Sequence, residues 1–251
     1  MQLKVLGTVS PYSKEEKNCP GFLITTEKNK ILLDCGNGIT RNLNLPDDLN
    51  NLTIIISHLH RDHYADIFSI AYASYVYKNL GFLKKSLKVY IPFDETSSDY
   101  YLLNNLGEEH YLEISTYNKD TFINIENTTI SFSENPHNVI SHSIKVTSNN
   151  QSIVYSGDTG YIGNTIEEFS KGANLLICES TFLKGQTRKK DYHLYAHEAA
   201  IIAKHAKVEQ LLLTHFWPEI PPTLYKEEAQ EIFENTEYAQ EKQLINLSLK
   251  K

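Results

Sequence analysis

Cysteine is scarce in this chain: three in 251 residues, Cys19, Cys35 and Cys178, with no Cys-x-x-Cys pair. An odd, scattered set excludes a disulfide framework and a thiolate metal site, and reads as small buried hydrophobes in a reducing compartment. Long apolar runs are missing too. The longest cover a few residues, against the roughly 20 that a spanning helix needs, so no membrane partner is expected. Residues 1–18 have neither the basic flank nor the apolar core of a signal peptide, and the expected location is cytoplasmic. Positive charge is also short. Lys and Arg number 24 against 31 Asp and Glu, a net charge of −7, so no overall field attracts nucleic acid and a polyanion would have to be gripped locally. Glycine and proline are spread thinly, without a linker, repeat or low-complexity tract. Residues 1–251 therefore read as a single domain, long enough to bury a core without disulfides.

What is present is a regular succession of short strands and helices. Residue 4 begins a strand, and residues 21–26 and 30–34 form a strand pair joined by Glu27-Lys28-Asn29. Residues 52–57 are a β-branched run, typical of a strand buried on both faces. From 62 to 80 the period changes: Ile67, Phe68, Ala71, Tyr72, Tyr75 and Val76 recur at three and four residues, and Gly81 stands where a helix C-cap belongs. The tyrosine-rich segment 72–77 is read as core. A strand at 87–91 and a helix at 99–106 follow, then short β runs from 111 to 155. Helices are expected at 165–169, 196–207 and 226–234, and strands at 174–178 and 210–214. Strands in both halves, each half with its own helices, predict an α/β (α+β) fold of two sheets face to face with helices outside.

The run His58-Leu59-His60-Arg61-Asp62-His63 carries the chemistry. Residues two apart on an extended chain point the same way, so His58 and His60 project together from the end of the 52–57 strand. Asp62 and His63 follow where that strand turns into the next helix. Imidazole and carboxylate ligands without thiolates suit Zn²⁺, with Mn²⁺ or Fe²⁺ as alternatives, in a hydrolytic rather than structural site.

This run resembles the HxHxDH signature of the metallo-β-lactamase superfamily, and the resemblance extends over nearly the whole chain. It implies a four-layer αββα sandwich with two divalent metal ions at the sheet edges. It also implies the other ligands: His137 in Glu134-Asn135-Pro136-His137, Asp158 in Ser156-Gly157-Asp158-Thr159, and His215 after Leu211-Leu212-Leu213-Thr214. By that match one metal takes His58, His60 and His137, the other takes Asp62, His63 and His215, and Asp158 bridges them. His142 is a rival to His137. Asp34 matches an aspartate that orients a metal ligand, although a turn-forming aspartate reads equally well there.

Two metal ions about 3.5–4 Å apart would hold a hydroxide as nucleophile, oriented by Asp62 or Asp158. Cys178-Glu179-Ser180-Thr181 and His193-Leu194-Tyr195-Ala196 look like the paired motifs of the ribonuclease Z branch. There the carboxylate of Glu179 would hold His193 protonated, as the acid that serves the leaving oxygen. Lys184, Arg188, Lys189 and Lys190 form a basic loop between the two motifs, either a phosphate clamp or simply solvated. Only 21 positions separate His137 from Asp158, too few for the tRNA-gripping arm that ribonuclease Z carries in that interval. The expected activity is a ribonuclease Z-like phosphodiesterase on small diesters, with Asp62, Glu179 and His193 catalytic. The alternatives are a thioester or lactone hydrolase of the same fold, or an RNA-processing nuclease subunit. Relatives of this type also suggest a homodimer.

Overall fold

The structure is a computed structural model, and it describes residues 1–109 and 112–247. Two mixed sheets make up its centre. In the first, β1 (Gln2–Gly7), β2 (Gly21–Thr25) and β3 (Lys30–Leu33) run antiparallel, and β4 (Leu52–Ile55), β5 (Leu87–Pro92) and β6 (Leu112–Tyr117) continue parallel to β3. The second sheet repeats the plan. β7 (Phe122–Ile125), β8 (Thr128–Glu134), β9 (His142–Ser148) and β10 (Gln151–Tyr155) are antiparallel, followed by parallel β11 (Leu175–Glu179), β12 (Gln210–Thr214) and β13 (Thr236–Tyr238). The chain then returns to the first sheet as β14 (Leu244–Asn246), outside β1.

Side-chain alternation builds the layers. On β3, Ile31 and Leu33 point between the sheets, where they meet Phe132, Ile144 and Ile153, while Leu32 points outward. Outside the first sheet Leu32, Ile54 and Ile56 are covered by α1 (Ile67–Asn79) and α2 (Ser98–Glu109) through Ile67, Ile70, Ala71 and Leu103. Outside the second, Val154, Leu176 and Leu211 are covered by α3 (Thr165–Ser170), α4 (Ala196–Ala206) and α5 (Pro222–Gln230) through Ile166, Ala199, Ala203 and Tyr225. Strands with helices on one face and a second sheet on the other have no solvated side. That is why their sequences read as unbroken apolar runs. The result is a four-layer αββα sandwich. The three cysteines are buried and unpaired within it, and among the described residues no helix is long and apolar enough to cross a membrane.

Three expectations are corrected. Residues 61–63 form a 3₁₀ turn, and α1 begins only at Ile67. The face of α1 is also different: Ile67, Ile70, Ala71 and Ser74 are buried, whereas Phe68, Tyr72, Tyr75 and Val76 are exposed. The segment 72–77 is therefore mostly surface, with Tyr77 partly buried. The helix is apolar on nearly every side, so periodicity did not single out its inner face. The last helix lies at Pro222–Gln230 rather than 226–234, because Pro222 is suited to its first turn and Tyr225 and Ala229 supply its buried face.

Candidate metal centre

The parallel strands of both sheets end at one rim of the sandwich, the edge where open α/β sheets commonly bind ligands. His58, His60, Asp62 and His63 follow β4, Asp158 follows β10, Glu179 ends β11, and His215 follows β12. His137 reaches the same rim from the loop between β8 and β9. The Ser156-Gly157-Asp158 turn needs its glycine. Gly157 has φ +57°, and a Cβ there would stand 2.8 Å from the carbonyl oxygen of His142.

Three overlapping groups of ligand-type atoms meet here. The first is His58, His60 and His137 with Asp158; the second is Asp62, His63 and His215; the third joins Asp158 and His215 to His193. In the first, His60 Nδ1 is 3.0 Å from His58 Nε2 and 3.3 Å from His137 Nε2. In the second, His63 Nε2 is 3.4 Å from His215 Nε2 and 3.6 Å from Asp62 Oδ2. Asp158 turns one oxygen to each of these two. Oδ1 is 3.1 Å from His215 Nε2 and 3.4 Å from His63 Nε2, and Oδ2 is 3.5 Å from His58 Nε2.

The neighbours of these imidazoles decide which nitrogen faces inward. His63 Nδ1 donates to Asp34 Oδ2 at 2.7 Å, and His137 Nδ1 donates to the Tyr192 carbonyl at 2.9 Å. His58 Nδ1 is 3.0 Å from Ser57 Oγ, whose own proton goes to Asp34. His215 Nδ1 is 2.8 Å from Thr181 Oγ1. With their outer nitrogens engaged, the Nε2 lone pairs converge on a common volume. Burial, and after it the neighbouring His63, holds His58 well below the usual histidine range; burial and then His137 push His60 down to about 4. Those two neutral rings can offer lone pairs directly to a cation. At His63 burial is outweighed by the Asp158, Asp62 and Asp34 carboxylates, which hold the ring well above the usual range, and it would give up its proton to a cation. The buried Asp158 Oδ1 has no hydrogen-bond partner among the described residues, an orphaned acceptor that a cation would satisfy. The donor set therefore fits divalent metal, with nitrogen and oxygen ligands suited to Zn²⁺.

Beside this cluster stands the second motif. His193 Nδ1 donates to Glu179 Oε1 at 2.9 Å and lies 3.8 Å from Asp158 Oδ2. Its ring stacks on that of His215, centroids 5.3 Å apart and planes 21° from parallel. Burial opposes a charge on His193, but the Glu179 carboxylate and its hydrogen bond outweigh it and raise the imidazole to about 9. Burial likewise opposes ionisation of Glu179, and His193 more than compensates, so the carboxyl is lowered.

Comparison with known proteins agrees with this geometry. A family model described as a beta-lactamase superfamily domain matches residues 29–216. The chain belongs to that superfamily, in its metallo-β-lactamase form. A probable metallo-hydrolase of Bacillus subtilis, YhfI, is 29% identical over 217 residues, 86% of each chain. The crystal structure of YhfI superposes with a TM-score of 0.87 at 25% identity, covering 98% of this chain and 99% of that one. A ribonuclease Z of Pyrococcus abyssi is 28% identical over 89% of both chains. The short form of human tRNase Z shares the fold, with a TM-score of 0.76 at 20% identity, over 99% of this chain and 100% of that one. The chain is thus a metallo-β-lactamase-fold hydrolase with ribonuclease Z-like relatives.

Within this superfamily member His142 lies on β9, buried against Tyr117 and Phe132 at centroid distances of 5.1 and 6.4 Å and apart from all three ligand groups. Asp34 is fully buried and binds Ser57, His63 and Tyr155, so it is an orienting residue rather than a simple turn former. Arg188 is committed to the protein: it donates to Glu198 and to the His193 carbonyl at 2.9 Å, pairs with Asp191 at 3.0 Å and covers the Tyr195 ring. Lys184, Lys189 and Lys190 are exposed. Several supporting groups carried no signal in the sequence. Ser10 Oγ donates to Asp62 Oδ2 at 2.7 Å across 52 positions, and Asn135 Nδ2 donates to the carbonyls of Ser156 and Asp158 at 2.7 and 3.1 Å.

Proposed function

We propose that this protein is a dinuclear metal-dependent phosphodiesterase acting on small diesters. The observation that carries the reading is the Glu179–His193 pair, 2.9 Å apart, set against the edge of the ligand cluster. When bound, divalent cations supply Lewis acidity that polarises the phosphoryl group and lowers the pKa of the attacking water. His58, His60, His137 and Asp158 would hold one ion; Asp62, His63, His215 and Asp158 the other. Ser10 holds the Asp62 carboxylate in place. The proton step belongs to His193. Its Nδ1–H is committed to Glu179, which leaves Nε2–H to serve the leaving oxygen, and the Glu179 carboxylate favours the protonated ring. A thioester expels a thiolate, a far weaker base than an alkoxide, and has less need of such a pair.

The interval between His137 and Asp158 supports a small substrate. It is filled by β9 and β10, joined through Asn149-Asn150, both with positive φ of 50° and 59°, a tight two-residue hairpin turn. No arm projects from it to grip folded RNA, and the net charge of −7 offers no substitute. Half-buried Phe182 lies beside His193, with Trp217 6.4 Å beyond it, and the two rings offer a planar group a stacking surface. The test is to measure bound metal on the purified chain, then compare hydrolysis of bis-p-nitrophenyl phosphate, cyclic nucleotides and a lactone. Diester turnover that disappears with chelator is the expected result. Activity confined to the lactone would overturn the reading.

A further inference from the structure

Thr181 lies between the two halves of the site. Its Oγ1 is 2.8 Å from Glu179 Oε2 and 2.8 Å from His215 Nδ1, and all three side chains are buried. A hydroxyl has one proton to give. Glu179 is held in its ionised form and only accepts, so the Thr181 proton goes to the carboxylate. The oxygen can then only accept from His215, which fixes the proton of that ring on Nδ1. The bare Nε2 is thereby turned toward Asp158 Oδ1 and His63 Nε2, 3.1 and 3.4 Å away.

The same carboxylate takes His193 Nδ1–H on its other oxygen, with the Thr159 amide at 2.9 Å beside it. Glu179 Oε2 also receives the Leu194 amide at 3.1 Å. Glu179 therefore sets the tautomer of two imidazoles, directly for His193 and through one hydroxyl for His215. We propose that Thr181 is a positioning residue that makes His215 an Nε2 ligand and ties the metal site to the proton-donating pair. The inference rests on the metal centre described above and is independent of which ester is cleaved. The sequence contains Thr181 in the motif beside Glu179, but nothing in local spacing shows that its hydroxyl spans 34 positions to His215.

The hydroxyl and the methyl of Thr181 can be separated. Thr181→Val keeps the shape and removes the hydroxyl; Thr181→Ser keeps the hydroxyl and removes the methyl. Full-length protein is titrated with Zn²⁺ against a chromophoric chelator. Thr181→Val is expected to weaken one binding step by 10- to 100-fold and leave the other within a few-fold, the size expected when an orienting partner is lost. Thr181→Ser should stay within about threefold of the native chain, and kcat of Thr181→Val should recover in part at saturating metal. Equal affinities in Thr181→Val and the native chain, an equal loss in both steps, or a larger loss in Thr181→Ser would overturn the proposal. Imidazole ¹H–¹⁵N spectra of the native protein test it without any variant, since a His215 proton on Nε2 before metal is added would also overturn it. Should the native chain hydrolyse no diester while the affinity order stands, the phosphodiesterase reading fails and this one survives.

Discussion

Asp34 Oδ2 lies 2.7 Å from His63 Nδ1, and both side chains are fully buried. The carboxylate also accepts from the Ser57 amide and hydroxyl and from the Tyr155 hydroxyl, at 2.6, 2.8 and 2.7 Å. Its backbone is left-handed, φ +58°, a conformation that Asn tolerates well. Asp34→Asn should therefore fold, keep its turn and lose the negative acceptor that holds His63. Metal affinity should fall by roughly 10- to 100-fold at one site, read by metal analysis after dialysis against graded chelator. An unchanged metal content would show that Asp34 only shapes the turn.

His193 is expected to matter in proportion to how poor the leaving group is. A p-nitrophenolate leaves without help, whereas an alkoxide must be protonated as the bond breaks. His193→Ala should cost a diester with an alkyl or ribose leaving group about 10²–10⁴-fold in kcat, and bis-p-nitrophenyl phosphate far less. The check is the slope of log kcat against leaving-group pKa for native and variant protein. Equal losses across the series would remove the general-acid role.

How much of this was legible in the sequence depended on distance along the chain. The strand before His58 and the turn through His63 lie within a dozen residues, and period-two and ligand spacing expose them directly. The alternation of apolar runs gave the two sheets and their helices for the same reason. What could not be read is contact across the chain. Ser10, Tyr155 and Thr181 are ordinary hydroxyl residues until the fold brings them to Asp62, Asp34 and His215, and the carbonyl that orients His137 has no side-chain identity at all. The inner face of α1 escaped because exposed Phe68 and Tyr72 are as apolar as buried Ile67 and Ala71. The short strands β13 and β14 are three residues each, below the length at which alternation can be seen.

Arg188 should prove to be a brace for the His193 loop rather than a phosphate clamp. Its guanidinium fork is filled by Glu198, Asp191 and the His193 carbonyl, with the side chain only 12% exposed. Lysine cannot reproduce that planar fork. Arg188→Lys should lower stability by about 1–3 kcal/mol in urea unfolding and reduce kcat through a loosened His193, while KM for a diester changes little. A large rise in KM with stability intact would return Arg188 to the substrate.

His142 makes the folded state sensitive to acid. The ring is 2% exposed, its Nδ1 has no hydrogen-bond partner among the described residues, and burial lowers it from 6.5 to about 4. Between those values the unfolded chain binds a proton that the folded chain refuses, so stability rises with pH across the window and is lost as pH falls through it. His142→Phe places an uncharged ring edge-on beside the stacked Tyr117 and Phe132 rings and removes this contribution. The difference in unfolding free energy between variant and native protein, measured without metal by urea titration, should shift in favour of the variant from pH 7 to pH 4. The shift should approach roughly 3 kcal/mol at the acid end. A difference that stays flat with pH would mean that His142 is hydrated or partnered in the folded chain and takes up its proton there at an ordinary pH.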